Sequence, residues 1–118
     1  MRLFSLLVAS MVLLTGLAAT ATTLQSAHYD ESTQTLHVTV VRQGGLKPHV
    51  YSLEWDSCQT REGVQEIAAR LVDSGWDDTG TEEVVETLSF DLSTLSCRPS
   101  WVTVRSGRYS NLTIWVGR

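Results

Sequence analysis

Cysteine, proline and lysine are all scarce in this chain. It has two cysteines, two prolines and a single lysine, Lys47. Two cysteines with no histidine at ligand spacing exclude the usual structural zinc sites. Two isolated prolines exclude a proline-rich linker. Positive charge is sparse as well: nine Lys and Arg face thirteen Asp and Glu, for a net charge of −4. An acidic chain this small has no electrostatic footprint for nucleic acid. It also has no polybasic patch for an anionic membrane. Beyond Leu17 there is no long apolar run, so no second stretch is suited to cross a bilayer as a helix.

What is there begins with the first 21 residues. Met1-Arg2 precede a nearly unbroken apolar and small-residue run from Leu3 to Leu17, and Ala19-Thr20-Ala21 follows. This order of charge, apolar stretch and small-x-small triplet is that of a secretory signal peptide, with cleavage expected after Ala21. The expected mature chain, residues 22–118, is one domain in size. It is expected to be periplasmic or secreted. The cleavage site carries no cysteine, so no membrane anchor is expected after signal cleavage. Loss of Arg2 leaves eight cations against thirteen acids, a more acidic protein still. In an oxidising compartment Cys58 and Cys97 are expected to form a disulfide. Closing that loop stabilises the fold by roughly 3–4 kcal/mol in the chain-entropy picture.

The mature chain reads as short alternating runs separated by turn signals. Leu24 to Tyr29 is a first strand, and Asp30 to Thr33 is turn-like. Leu36, Val38 and Val40 alternate with His37 and Thr39 in a half-buried strand. Val50 to Trp55, Val84 to Phe90, Trp101 to Arg105 and Leu112 to Val116 continue the pattern. Residues 64–72 are ambiguous. Val64, Ile67, Ala68, Leu71 and Val72 form a helical stripe, yet the same residues also alternate. The strand reading completes two sheets, and a single helix covering one sheet is the alternative. The expected fold is all-β, an immunoglobulin-like β-sandwich of about seven antiparallel strands. Counting strands up and down places Cys58 and Cys97 at the same end, with Leu92 and Leu95 plugging that end. Trp55 and Trp101 are expected in the core, and Trp76 outside it.

Several fragments follow one another in a familiar order: Tyr29-Asp30, Ser52-Leu53-Glu54-Trp55 before Cys58, Phe90-Asp91-Leu92 before Cys97-Arg98-Pro99, and Val102-Thr103-Val104-Arg105. Together they resemble a group of small exported proteobacterial single-disulfide proteins of uncharacterised function. The resemblance implies a compact β domain and no catalytic residues. A second segment, Ser106-Gly107-Arg108-Tyr109, is similar to the Ser-Gly-x-x-Tyr loop of periplasmic inhibitors of c-type lysozyme. Here Tyr109 falls one position early, and Val116 stands where a cation is expected.

Catalytic patterns are missing. No Gly-x-Ser-x-Gly elbow occurs, and oxidised cysteines leave no thiol nucleophile. Glu54 and Asp56 share a strand face but read as surface acids rather than a glycosidase pair. Asp73, Asp77, Asp78, Glu82 and Glu83 crowd one loop without the spacing of a calcium site. The protein is therefore expected not to be an enzyme and to need no cofactor or metal. A metal-handling role through His28, His37 or His49 is an alternative. The leading expectation is a binding or structural protein whose partner is another envelope protein. The candidate contact residues are Trp76, Asp77 and Asp78 in the acidic loop, and Arg105, Arg108 and Tyr109 near the final turn. Inhibition of a lysozyme-type enzyme is the other alternative.

Overall fold

The computed structural model describes residues 22–118, and the expected signal peptide lies outside them. Eight strands occur among the described residues: β1 (Thr23–Asp30), β2 (Thr35–Gly44), β3 (Tyr51–Trp55), β4 (Gln59–Arg61), β5 (Val64–Asp73), β6 (Glu82–Asp91), β7 (Ser100–Ser106) and β8 (Ser110–Val116). They form an all-β sandwich. One sheet has the order β1-β2-β6, and the other has the order β3-β5-β7-β8 with β4 added beside β5. The two-layer plan is the expected one, with two differences in detail.

The first difference is β4. Its three residues are all exposed and polar, so it has no apolar alternation to reveal it. It is held by register with β5 through a tight hairpin at Glu62 and Gly63. Both residues have positive φ, 54° and 82°, which is the backbone of a type I′ turn. The second difference is orientation. β5 and β7 pair in parallel, from Glu66 opposite Trp101 to Arg70 opposite Arg105. The chain leaves β5, crosses to the other sheet as β6, and returns before starting β7. One excursion through the facing layer puts β5 and β7 in the same sense, so not every pairing is antiparallel.

The ambiguous segment is a strand. In β5, Ile67, Ala69 and Leu71 are buried while Ala68 and Arg70 face outward. Helix propensity differs among these residues by only tenths of a kcal/mol each. Pairing with β3, β4 and β7 decides the outcome.

Between the sheets, Leu36, Val38 and Val40 of β2 meet Ile67, Leu71, Val102, Val104 and Val116 of the facing sheet. Each such side chain, fully buried, contributes roughly 1.5–3 kcal/mol. The Cys58–Cys97 disulfide joins the β3–β4 link to the β6–β7 corner, with Cα atoms 5.8 Å apart. Leu92 is buried beneath it and Leu95 packs against the core, so this pole is closed as the sequence predicts. Trp55 packs against the core. Trp101 does not. It follows the buried Ser100 and precedes the buried Val102, so alternation turns its ring outward. There it meets its register partner Trp115 edge-on, ring centroids 5.1 Å apart.

Candidate functional site

The pole opposite the disulfide gathers three connections: residues 45–50 between β2 and β3, residues 74–81 between β5 and β6, and the Gly107–Tyr109 turn between β7 and β8. The first two loops are joined from beneath by His49. Its side chain is only 2% exposed. Its Nδ1 lies 2.8 Å from the Asp73 carboxylate, and its Nε2 lies 2.9 Å from Asp78 Oδ2. Burial opposes a charge on this ring, but the Asp78 and Asp73 hydrogen bonds outweigh it. The net effect raises the His49 pKa above its ordinary 6.5. Both ring nitrogens can then donate, one to Asp73 at the end of β5 and one to Asp78 in the loop that follows it.

Asp78 is the other half of the clamp. Its Oδ1 accepts from the Gly80 amide at 2.9 Å. Its Oδ2 accepts from the Leu46 and Lys47 amides, each at 3.3 Å. The His49 bond first, and then these amides, hold its carboxyl well below the usual carboxylate range. Gly75 is required where the loop crosses the imidazole: a Cβ there would lie 2.6 Å from the His49 ring. Lower down, Arg42 Nε donates to Glu86 at 3.0 Å, and the Tyr51 hydroxyl donates to the same carboxylate at 3.3 Å. Burial is the main cause that pushes the Tyr51 pKa up to about 12. Thr22 closes the cluster, its Oγ1 donating to Asp73 at 3.2 Å.

Above this buried network the loops carry exposed apolar side chains. Leu46 is 71% exposed, Val50 69%, Trp76 71% and Tyr109 86%. They are four of the eight large exposed apolar residues among those described. Lys47 and Asp77 pair beside them at 2.6 Å.

The structure sorts the sequence-predicted contacts into three groups. Trp76, Asp77, Arg108 and Tyr109 share the loop pole and are exposed. Asp78 does not belong with them: it is 5% exposed and is used inside the fold. Arg105 is exposed but lies on the outer face of β7, not on a loop. The acidic loop does not converge on a cation, because Asp73 and Asp78 turn inward to His49 while Asp77 pairs with Lys47.

The histidines do not converge either. His28 and His37 face each other across β1 and β2, ring centroids 6.4 Å apart, while His49 is fully engaged elsewhere. Among the described residues, no group of three or more His, Cys, Asp or Glu is arranged to hold a metal ion. Ser106 of the Ser-Gly-x-x-Tyr-like segment is buried, and its hydroxyl donates to the Thr22 carbonyl. It is not presented to a partner.

Sequence reasoning missed His49 as the organising residue. Its acids lie 24 and 29 residues away, and no local spacing links them. Pro48 before it and the alternating strand after it were the available signals of a fixed loop end. The chain matches no family model, no curated protein and no solved structure.

Proposed function

We propose that this protein is an exported, non-enzymatic binding module that contacts another envelope protein through the loop pole opposite the disulfide. One observation carries the reading. Leu46, Val50, Trp76 and Tyr109 stand exposed on three connections, and the buried His49 clamp fixes the two longer ones. Exposed apolar side chains on loops gain nothing for folding. On loops already held in place they form a pre-organised contact surface, which lowers the ordering cost of binding. Tryptophan and tyrosine are also the residue types most enriched at interface hot spots. The acidic balance of the chain supports a protein partner over nucleic acid.

Affinity capture from an envelope fraction tests this. Wild type should retain a partner that Trp76→Ala and Tyr109→Ala each lose, while Val85→Ser, on the outer face of the three-stranded sheet, keeps it. An identical captured set with all four proteins would overturn the reading.

A further inference from the structure

The outer face of the five-stranded sheet is a second surface, distinct from the loop pole. No element of the described chain covers it. Register places Glu66 beside Trp101 and Trp101 beside Trp115 in one cross-strand row. Ala68 and Thr103 form the next row, and Arg70 and Arg105 the one after. Ala68 is the small residue of this grid. Its methyl group floors a shallow depression of about 450 Å³.

Asp56 stands on one side of that floor, its backbone N–H bonded to the Ala68 carbonyl at 2.9 Å. Arg105 stands on the other. Arg105 lies one row further along, opposite Arg70 rather than Ala68, so with one strand between them their backbones are about 12 Å apart. Their charges are unused. Among the described residues, neither the Asp56 carboxylate nor the Arg105 guanidinium has a partner, whereas the neighbouring Arg70 pairs with Glu54. Trp101, nearly half exposed at 46%, lies one row from the depression, about 7 Å along the strand.

We propose that this face is a carbohydrate-binding site, with Trp101 as the stacking platform and Asp56 and Arg105 as the hydroxyl-binding pair across the Ala68 floor. A saccharide unit fits within the depression that these two groups line. It has an apolar C–H face for an aromatic ring. Its hydroxyls can donate to a carboxylate and accept from a guanidinium at the same time. Other occupants fit less well. A protein surface would have to bury Asp56 and Arg105 unpaired or match both across a narrow hollow. An anionic lipid surface would meet Glu54, Asp56 and Glu66 on the same face. The aromatic pair sits one row along β7 from the depression, which suits a sugar chain lying along the strands, one unit on Trp101 and the next over Ala68.

The test uses the mature protein on an array of bacterial and plant oligosaccharides, followed by calorimetric titration of the strongest hit. Binding should be saturable. Trp101→Ala and Arg105→Ala should each weaken it about tenfold or more, and Trp101→Phe should weaken it less than Trp101→Ala. Trp76→Ala at the loop pole should leave it unchanged, which separates this site from the protein contact. An array signal no higher than that of heat-denatured protein would overturn the proposal. So would an affinity indifferent to Trp101→Ala. A wild-type dimer that Trp101→Ala converts to monomer, with no glycan bound, would assign the face to self-association instead.

Discussion

Removing His49 should be far more damaging than its loop position implies. In His49→Ala, the hydrogen bonds to Asp73 and Asp78 disappear, and the two buried acids lose the ring between them, with Arg42 the nearby cation that remains. Breaking a buried ion pair from one side costs about 3–5 kcal/mol. The Gly80, Leu46 and Lys47 amides still bind Asp78, so the low end, about 3 kcal/mol, is expected. For a domain of this size, that lowers the thermal midpoint by roughly 12–24 °C. Thermal unfolding followed by circular dichroism reads this directly.

The pH dependence gives a second, independent signature. A folded-state pKa raised above 6.5 means that the native protein holds the His49 proton more tightly than the unfolded chain. The resulting stability is fully present below about pH 6.5 and is lost as pH rises through the raised folded value. At the acid end the depressed Asp78 pKa acts in the opposite sense: its contribution is present above 3.8 and is lost as pH falls through the folded value. The gap between wild type and His49→Ala should therefore be widest near about pH 5.5 and narrow as pH rises above 6.5 and through the raised folded value. A variant within about 0.5 kcal/mol of wild type, the range of ordinary surface changes, would refute the clamp. A gap that widens with pH would refute the sign of the argument.

Other variants probe the rest of the fold. Replacing both Cys58 and Cys97 with serine frees a loop of 39 residues' separation. This should cost about 4 kcal/mol, read as a lowered urea midpoint with a steeper slope, because the denatured chain without the crosslink exposes more surface. Val104→Ala, at a position with no exposed surface, should cost about 2–3 kcal/mol from lost transfer energy and a cavity. Trp101→Ala, on the outer face of the same strand, should cost under about 1 kcal/mol in the same assay. Gly75→Ala forces a methyl group against the imidazole and should cost roughly 1–3 kcal/mol. In the His49→Ala background that penalty should largely vanish, which a double-mutant cycle will measure.

How far the sequence carries the fold can be seen at particular residues. Leu36, Val38 and Val40 alternate with polar neighbours, and the structure buries all three completely. Strand two was legible because one sheet face is apolar and the other is wet. Residues 64–72 were legible only in part. Helical and alternating stripes coexist there, and the partners that decide between them are long-range. β4 was invisible because Gln59, Thr60 and Arg61 have no buried face to mark in the sequence.

Trp101 misled because its place at a strand end close to Cys97 suggests burial, whereas alternation from Val102 and Val104 turns it outward. The acidic loop shows the same limit. Asp77 and Asp78 are adjacent and chemically identical, yet one pairs at the surface and the other is buried against His49. Loops lack the period that tells inward from outward in a strand, so nothing local separates the two.

The binding role of the loop pole is tested most directly by crosslinking in the native envelope. A photoreactive residue replaces Trp76 in one protein and Val85, on the outer face of β6, in another. The account predicts a crosslink from position 76 to a discrete envelope protein, reduced when Tyr109→Ala is added, and none from position 85. Silence at position 76, or the same product from both positions, would contradict it.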